Sequence, residues 1–210
     1  GLCIGCGSCA AVQNSAKIRW DRHGFLKPTG DDHWLEAPST YTTEHCPFSP
    51  AAADEDTISA ERFPRASSSD PALGRFEAAY VGHVAEQEFR MRGSSGGLTT
   101  WVAAELLRTG AVDAVAHVAA ADPAKAGRLF EYRISRTAEQ LNSGAKSRYY
   151  PIELSGVLRE IRATRGRYAV IGIPCFIKAI NLLRRSDAVI RERVSHTLGL
   201  FCGHMKSAAM

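Results

Sequence analysis

YAVIGIPCFIKAINLLRR, residues 168–185, decides the fold. Residues 168–173 are a short continuous apolar run, the pattern of a strand buried on both faces. Pro174 stands at a strand-to-helix turn, and residues 175–185 then carry Ile177, Ile180, Leu182 and Leu183 at helical spacing. Working outward, residues 154–163 read as an amphipathic helix and residues 194–201 as a last strand. Upstream, residues 78–84, 112–119 and 129–134 read as strands. Residues 95–109 place Leu98, Val102, Leu106 and Leu107 on one helical face, with Gly110 as the residue after the helix end. Strands alternating with helices predict an α/β fold on a parallel or mixed sheet, with α+β as the alternative.

The first third of the chain differs. Residues 1–50 are short on helical periodicity and rich in Cys, Gly and Pro, so something other than an apolar core must tie them together. Residues 51–75 are polar, with two prolines and a run of three serines, and read as a linker or surface strap. The expected division is therefore 1–50, 51–75, 76–150 and 151–210.

Charge follows the same division. Residues 1–70 carry 6 Lys and Arg against 10 Asp and Glu, whereas residues 71–210 carry 20 against 12. A basic second part suits an anionic ligand such as a dinucleotide. The basic residues are scattered and not interleaved with aromatics, which argues against nucleic acid. No apolar run approaches the roughly 20 residues needed to cross a bilayer. The start shows no signal-peptide pattern but is Gly1 rather than Met, and the chain stops at Met210 just past a strand. A piece of a longer chain, cytoplasmic in location, is the expectation.

Three of the six cysteines form Cys3-x2-Cys6-x2-Cys9, with Gly5 and Gly7 between them. Thiolates three residues apart on a tight loop can converge on one iron–sulfur cubane, and glycines let the backbone curl around it. A two-cluster ferredoxin run would place another Cys where Gln13 stands, followed here by Asn14, so a single cluster fits. Its fourth ligand should then be remote and followed by Pro, as Cys46-Pro47 is. Two alternatives remain open. A disulfide framework suits such closely spaced cysteines poorly, and zinc sites usually come as two separated C-x2-C pairs. Cys175, after Pro174, is expected to have a lowered pKa at a helix N-terminus. Cys202 ends the last strand. The two are either buried structural thiols or a pair facing one site at the strand ends, a candidate second metal site.

Gly93-Ser94-Ser95-Gly96-Gly97 precedes the helix of residues 98–109, and Arg90 and Arg92 stand nearby. Exposed N–H groups at a helix start make an anion site, though such a stretch is also an ordinary flexible turn. Lys146-Ser147-Arg148-Tyr149-Tyr150 can hold phosphate through Lys and Arg and stack a flat ring on Tyr; a solvated loop is the bland alternative.

Taken in order, CIGCGSC (3–9), CP (46–47), GSSGGLTTWVAAELL (93–107), VDAV (112–115), SGAKSRYY (143–150), GIPCFIKAI (172–180) and GLFCGH (199–204) resemble the coenzyme F-420 hydrogenase/dehydrogenase beta-subunit family. The resemblance implies a flavin- and iron–sulfur-dependent oxidoreductase, with a small ferredoxin-like [4Fe–4S] segment attached to an FAD-binding domain. Some members use coenzyme F-420, while a relative reduces hydroxymethyl-chlorophyll a, so the fold alone leaves the substrate open. KSRYY and GIPCFIKAI are most similar to bacterial members found with polysaccharide genes. By the resemblance, Cys3, Cys6, Cys9 and Cys46 hold the cluster. Gly93, Ser94, Ser95, Gly96, Gly97, Lys146, Arg148 and Tyr149 bind the flavin, and Lys146 and Cys175 lie nearest the chemistry. A redox partner subunit and a small hydride donor or acceptor are the implied partners. An electron-transfer subunit without its own flavin, and a non-catalytic module with a structural cluster or zinc, are the other function classes.

Overall fold

The structure, a computed structural model, describes residues 2–13, 15–32, 34, 40–86 and 88–209. Gly1 and Met210, on which the expectation of a longer chain rests, lie outside them. The chain runs α1 (Ser8–Val12), β1 (Lys17–Trp20), β2 (Leu26–Thr29), α2 (Thr40–His45), α3 (Glu55–Arg62), β3 (Ser68–Asp70), β4 (Gly74–Phe76), α4 (Phe89–Arg92), α5 (Leu98–Arg108), β5 (Ala114–Ala120), α6 (Pro123–Ala126), β6 (Phe130–Ser135), α7 (Ala138–Ser143), α8 (Ser155–Ala163), β7 (Tyr168–Gly172), α9 (Pro174–Ser186), α10 (Ala188–Arg193) and β8 (Val194–Gly199).

The central sheet has the order β6-β5-β7-β8. Strands β5, β7 and β8 are parallel, and β6 closes one edge antiparallel to β5. This is the mixed-sheet α/β architecture expected from the alternating pattern. Strand β7 explains why its sequence is apolar throughout. Tyr168 and Val170 pack, with Ala114 and Ala116 of β5, against α8, α9 and Ile190 of α10. Ala169 and Ile171 pack, with Val115, on the other side against Ala103 and Ala104 of α5 and Leu141 of α7. Alternate residues of one strand thus feed two cores, which requires apolar residues at every position.

One expected strand is absent, and two earlier segments carry elements that the sequence reading did not name. Residues 78–84 form no strand: Tyr80 and Val81 are almost fully exposed, and the described contact is Val84 N–H to the Gly96 carbonyl at 2.9 Å. β-branched and aromatic residues favour a strand only where a partner edge exists. Residues 51–75 contain α3, N-capped by Asp54 through the Thr57 N–H at 2.8 Å, and the β3–β4 hairpin. Helix α3 is strapped to α9 by Lys178–Glu55 and Arg185–Glu61 ion pairs, both 3.0 Å. Residues 1–50 contain the β1–β2 hairpin, whose turn is held by the Asp21 carboxylate accepting the N–H groups of His23 and Phe25.

His117 of β5 is buried, with Nε2 2.7 Å from Ser135 Oγ on β6. Burial holds its imidazole pKa below the ordinary 6.5, and Arg133 adds to the depression. As pH falls through 6.5 the unfolded chain takes up a proton that the folded protein refuses, so stability falls toward acid. The urea midpoint should therefore drop between about pH 7 and 5, and His117→Gln should flatten that drop. An equal drop in the variant would show that His117 is not its source.

Candidate cofactor site

The Cys3–Cys9 loop is shaped by its two glycines. Gly5 (φ +69°) and Gly7 (φ +81°) are left-handed, the region that L side chains avoid. A Cβ on Gly5 would stand 2.0 Å from the Leu26 carbonyl oxygen, and one on Gly7 2.5 Å from Glu153 Oε2. The loop can therefore lie flat on β2 and on the start of α8. It is fastened there by Leu154 N–H to the Cys6 carbonyl at 2.8 Å and by Lys27 Nζ to the Cys3 carbonyl. From α8, Arg159 and Arg162 donate to the Ala10 and Ala11 carbonyls of α1, at 3.1 and 3.4 Å.

Cys46 arrives from 37 residues further on in the same way. Buried Ser8 Oγ, between Cys6 and Cys9, donates to the His45 carbonyl at 3.1 Å. The four sulfurs then lie within electrostatic reach of one another. The Cys6 thiol is pushed well above the usual range, first by burial and then by Cys9, Cys46 and Cys3. Cys9 is pushed up to about 11 by burial, with Cys3 and Cys46 adding. Burial and neighbouring thiols thus disfavour ionisation of Cys6 and Cys9, a cost that a cationic iron–sulfur core would offset. The Gly5 N–H already points at Cys3 Sγ, 3.4 Å away. Among the described residues, no three His, Cys, Asp or Glu side chains are grouped tightly enough for one metal ion.

The glycine-rich turn and the basic-aromatic segment, 53 residues apart, meet directly. Ser147 N–H donates to Ser94 Oγ at 2.8 Å. Among the described residues, the N–H groups of Ser94, Ser95, Gly96 and Gly97 have no hydrogen-bond partner, and they stand at the N-terminus of the 11-residue α5. That is the arrangement that holds a phosphate or diphosphate. Close backbone approach also demands these glycines: a Cβ on Gly96 would meet the Gly82 carbonyl oxygen at 2.9 Å, and one on Gly97 the Phe89 oxygen at 2.6 Å. Lys146 is the one non-glycine residue with positive φ (96°) among those described. Backbone strain of this kind concentrates at ligand sites. Its side chain is exposed beside the turn, whereas Arg148 is half-buried with its guanidinium 5.1 Å over the Phe130 ring.

A chain of contacts continues from there. The exposed Tyr149 ring stacks on His204 at 5.6 Å. The His204 carbonyl lies 3.8 Å from Cys202 Sγ, and Cys202 acts electrostatically on Cys175. Cys175 and Cys6 both act on Tyr132, whose hydroxyl donates to the Ile171 carbonyl at 2.9 Å. Cys175 departs from expectation. At the second position of α9 it was to have a lowered pKa, yet the thiol is half-buried and pushed up, because desolvation outweighs its backbone hydrogen bonds and Cys202 adds to it. Sequence reasoning missed Ser8, Tyr132 and His204. Ser8 lies inside the cysteine motif, and His204 inside GLFCGH, so both were in view; Tyr132 carried no signal beyond its place in a strand.

The mixed sheet with its flanking helices is an α/β architecture of the kind that gathers ligands at the carboxyl ends of its parallel strands. Family models for the coenzyme F420 hydrogenase/dehydrogenase beta subunit match the chain, the N-terminal model over residues 79–159 and the C-terminal model over residues 165–210. The chain belongs to that family. Its fold is similar to a chain of the F420-reducing [NiFe] hydrogenase complex from Methanosarcina barkeri, solved as a xenon derivative, with a TM-score of 0.56 and 22% identity. The match covers 68% of this chain and 50% of that one, so the present chain spans half the length of its structural relative. Among curated proteins no relative matches.

The Ser8–His45 contact generates a direct expectation. Ser8→Ala removes this buried hydrogen bond and should lower stability by about 0.5–1.5 kcal/mol in urea denaturation. An unchanged midpoint would show that this bond does not hold the Cys46 turn in place.

Proposed function

We propose that this chain is the flavin- and iron–sulfur-dependent part of an oxidoreductase, coupling hydride transfer to single-electron transfer. The observation that carries this reading is the meeting of the glycine-rich turn with the basic-aromatic segment, Ser147 N–H to Ser94 Oγ, in a chain whose four-cysteine loop is docked on the same α/β domain by Leu154 N–H to the Cys6 carbonyl. A candidate anion site and a four-thiol site thus share one α/β domain. When bound, FAD supplies two-electron hydride chemistry and a [4Fe–4S] cluster a one-electron relay.

The chain's own residues then have separable tasks. Cys3, Cys6, Cys9 and Cys46 ligate the cluster as thiolates, and the Gly5 N–H tunes the Cys3 sulfur. The unpartnered N–H groups of residues 94–97 bind the flavin's diphosphate, assisted by the Lys146 ammonium. Gly93 gives the chain room to turn into that loop. Tyr149 offers a ring face, and Arg148 neutralises charge from below. Lys146 and Cys175 would act near the reactive ring, with Cys202 beside Cys175 as a candidate second metal site. The net positive charge of residues 71–210 favours the anionic cofactor.

Coenzyme F-420 is named in the family's description and in that of the similar complex, which makes it the first hydride partner to test. A reductase of another substrate, in polysaccharide-related chemistry, is the next. The similar chain's place in a complex favours a partner subunit as electron donor or acceptor. Among the described residues no helix is long and apolar enough to cross a membrane, and a cytoplasmic location fits the proposed cofactors.

Two variants test the two halves independently. Cys6→Ala should abolish the broad visible absorption and lower bound iron to near zero while far-ultraviolet circular dichroism of the α/β part persists; unchanged iron content would sink the cluster assignment. Lys146→Asn removes the ammonium but tolerates the left-handed backbone. It should weaken flavin binding by about tenfold, the worth of one charge-assisted hydrogen bond to phosphate. Undiminished flavin content would take Lys146 out of the site. Gly96→Val is the poorer probe, because its side chain would collide with residues 82 and 83 whether or not flavin binds.

A further inference from the structure

A second site lies on α9 at Arg184, about 14 Å further along the helix axis than Cys175. There, a cavity of about 700 Å³ opens between the last turns of α9, helix α3, the end of α2 and Arg191 of α10. Four of its lining residues are arginines, and two are accounted for. Arg185 pairs with Glu61 through two 3.0 Å hydrogen bonds. Arg191 donates to the carbonyls of Arg184 and Arg185 at 3.2 and 3.1 Å.

Arg184 and Arg62 are not accounted for. Arg184 is only 9% exposed, yet its Nε and Nη1 are buried without a hydrogen-bond partner, and so is Nε of Arg62. The charges that act on Arg184 are both cations, Arg62 and Arg191, and with burial they bring its pKa down to about 10, still charged at neutral pH. Glu44, the other carboxylate of the lining, is exposed. A buried guanidinium with free donors and no carboxylate paired to it is costly unless an anion completes it. The lining also holds one buried acceptor without a partner, Asn181 Oδ1.

We propose that this cavity binds a phosphate monoester, with the phosphoryl oxygens on the guanidinium groups of Arg184 and Arg62 and a hydroxyl of the ligand donating to Asn181 Oδ1. Planar guanidinium forks match phosphoryl oxygens in pairs. The volume exceeds what orthophosphate fills, which leaves room for a hydroxylated carbon skeleton. None of its lining residues is a proposed flavin or cluster ligand, and it adjoins the cluster loop at His45, the neighbour of Cys46.

Thermal melting of the anaerobically prepared protein, at ionic strength held constant with sodium chloride, tests it. Orthophosphate, glucose 6-phosphate and glucose are added in separate series. Melting temperature should rise saturably with glucose 6-phosphate, less with orthophosphate and not with glucose. Equal shifts from the two phosphates would still support the phosphoryl site and assign it to the free ion. Arg184→Gln should abolish the response without lowering the melting temperature in the absence of phosphate. Should that variant fail to fold, Arg62→Gln, at a half-buried position, should abolish the response instead. No saturable rise with either phosphate, or a wild-type response in both variants, overturns the proposal.

Discussion

The Leu154 N–H that meets the Cys6 carbonyl at 2.8 Å fixes the cysteine loop to the α/β domain, and the cofactor surface depends on that docking. Residue 154 opens α8, whose Val157, Leu158 and Ile161 are buried in the main core beneath the sheet. The loop is therefore referenced to the buried core. Two further contacts make the docking specific. Gly7 permits an approach to Glu153 and Ser155 that no side chain could share, and Arg159 and Arg162 satisfy carbonyls at the end of α1 that the five-residue helix leaves open. A loop with little apolar material of its own gains its order from a neighbour.

The sheet orders the other half of the site. Strand β7 leads directly into α9 at Pro174 and Cys175, and β8 leads into residues 200–206, which carry Cys202 and His204. Both exits lie at the carboxyl ends of parallel strands, where open α/β sheets gather ligands. On the other core, α5 begins at the glycine turn, and the turn after α7 is packed against His117 so tightly that a Cβ on Gly144 would meet its ring at 2.6 Å. That contact delivers Lys146 and Ser147 to Ser94. Electrostatics point the same way: burial first, and neighbouring thiols second, raise Cys6 and Cys9 in a manner that a cationic cluster would reverse.

Much of this was legible in the sequence, for a physical reason in each case. The apolar continuity of β7 follows from its feeding two cores, and Gly110 at φ +68° ends α5 as a left-handed residue must. The spacing of Cys3, Cys6 and Cys9 encoded a local loop. Residues 78–84 misled because their composition favours a strand while no edge was offered to them. Helix α3 was missed although Asp54, the acidic Glu55 and Asp56, and terminal Arg62 mark a capped helix; its polar surface and single buried residue, Ile58, disguised it. The raised Cys175 pKa could not be read from helix position, because burial is a tertiary quantity.

The coupling of two redox centres in one chain is tested most directly by an anaerobic reductive titration of the purified protein, followed by absorption and electron paramagnetic resonance. The account predicts uptake of about three electrons per chain, two bleaching the flavin bands and one producing the signal of a reduced cubane. Uptake of a single electron with no flavin bleaching, or of two with no cluster signal, would contradict it.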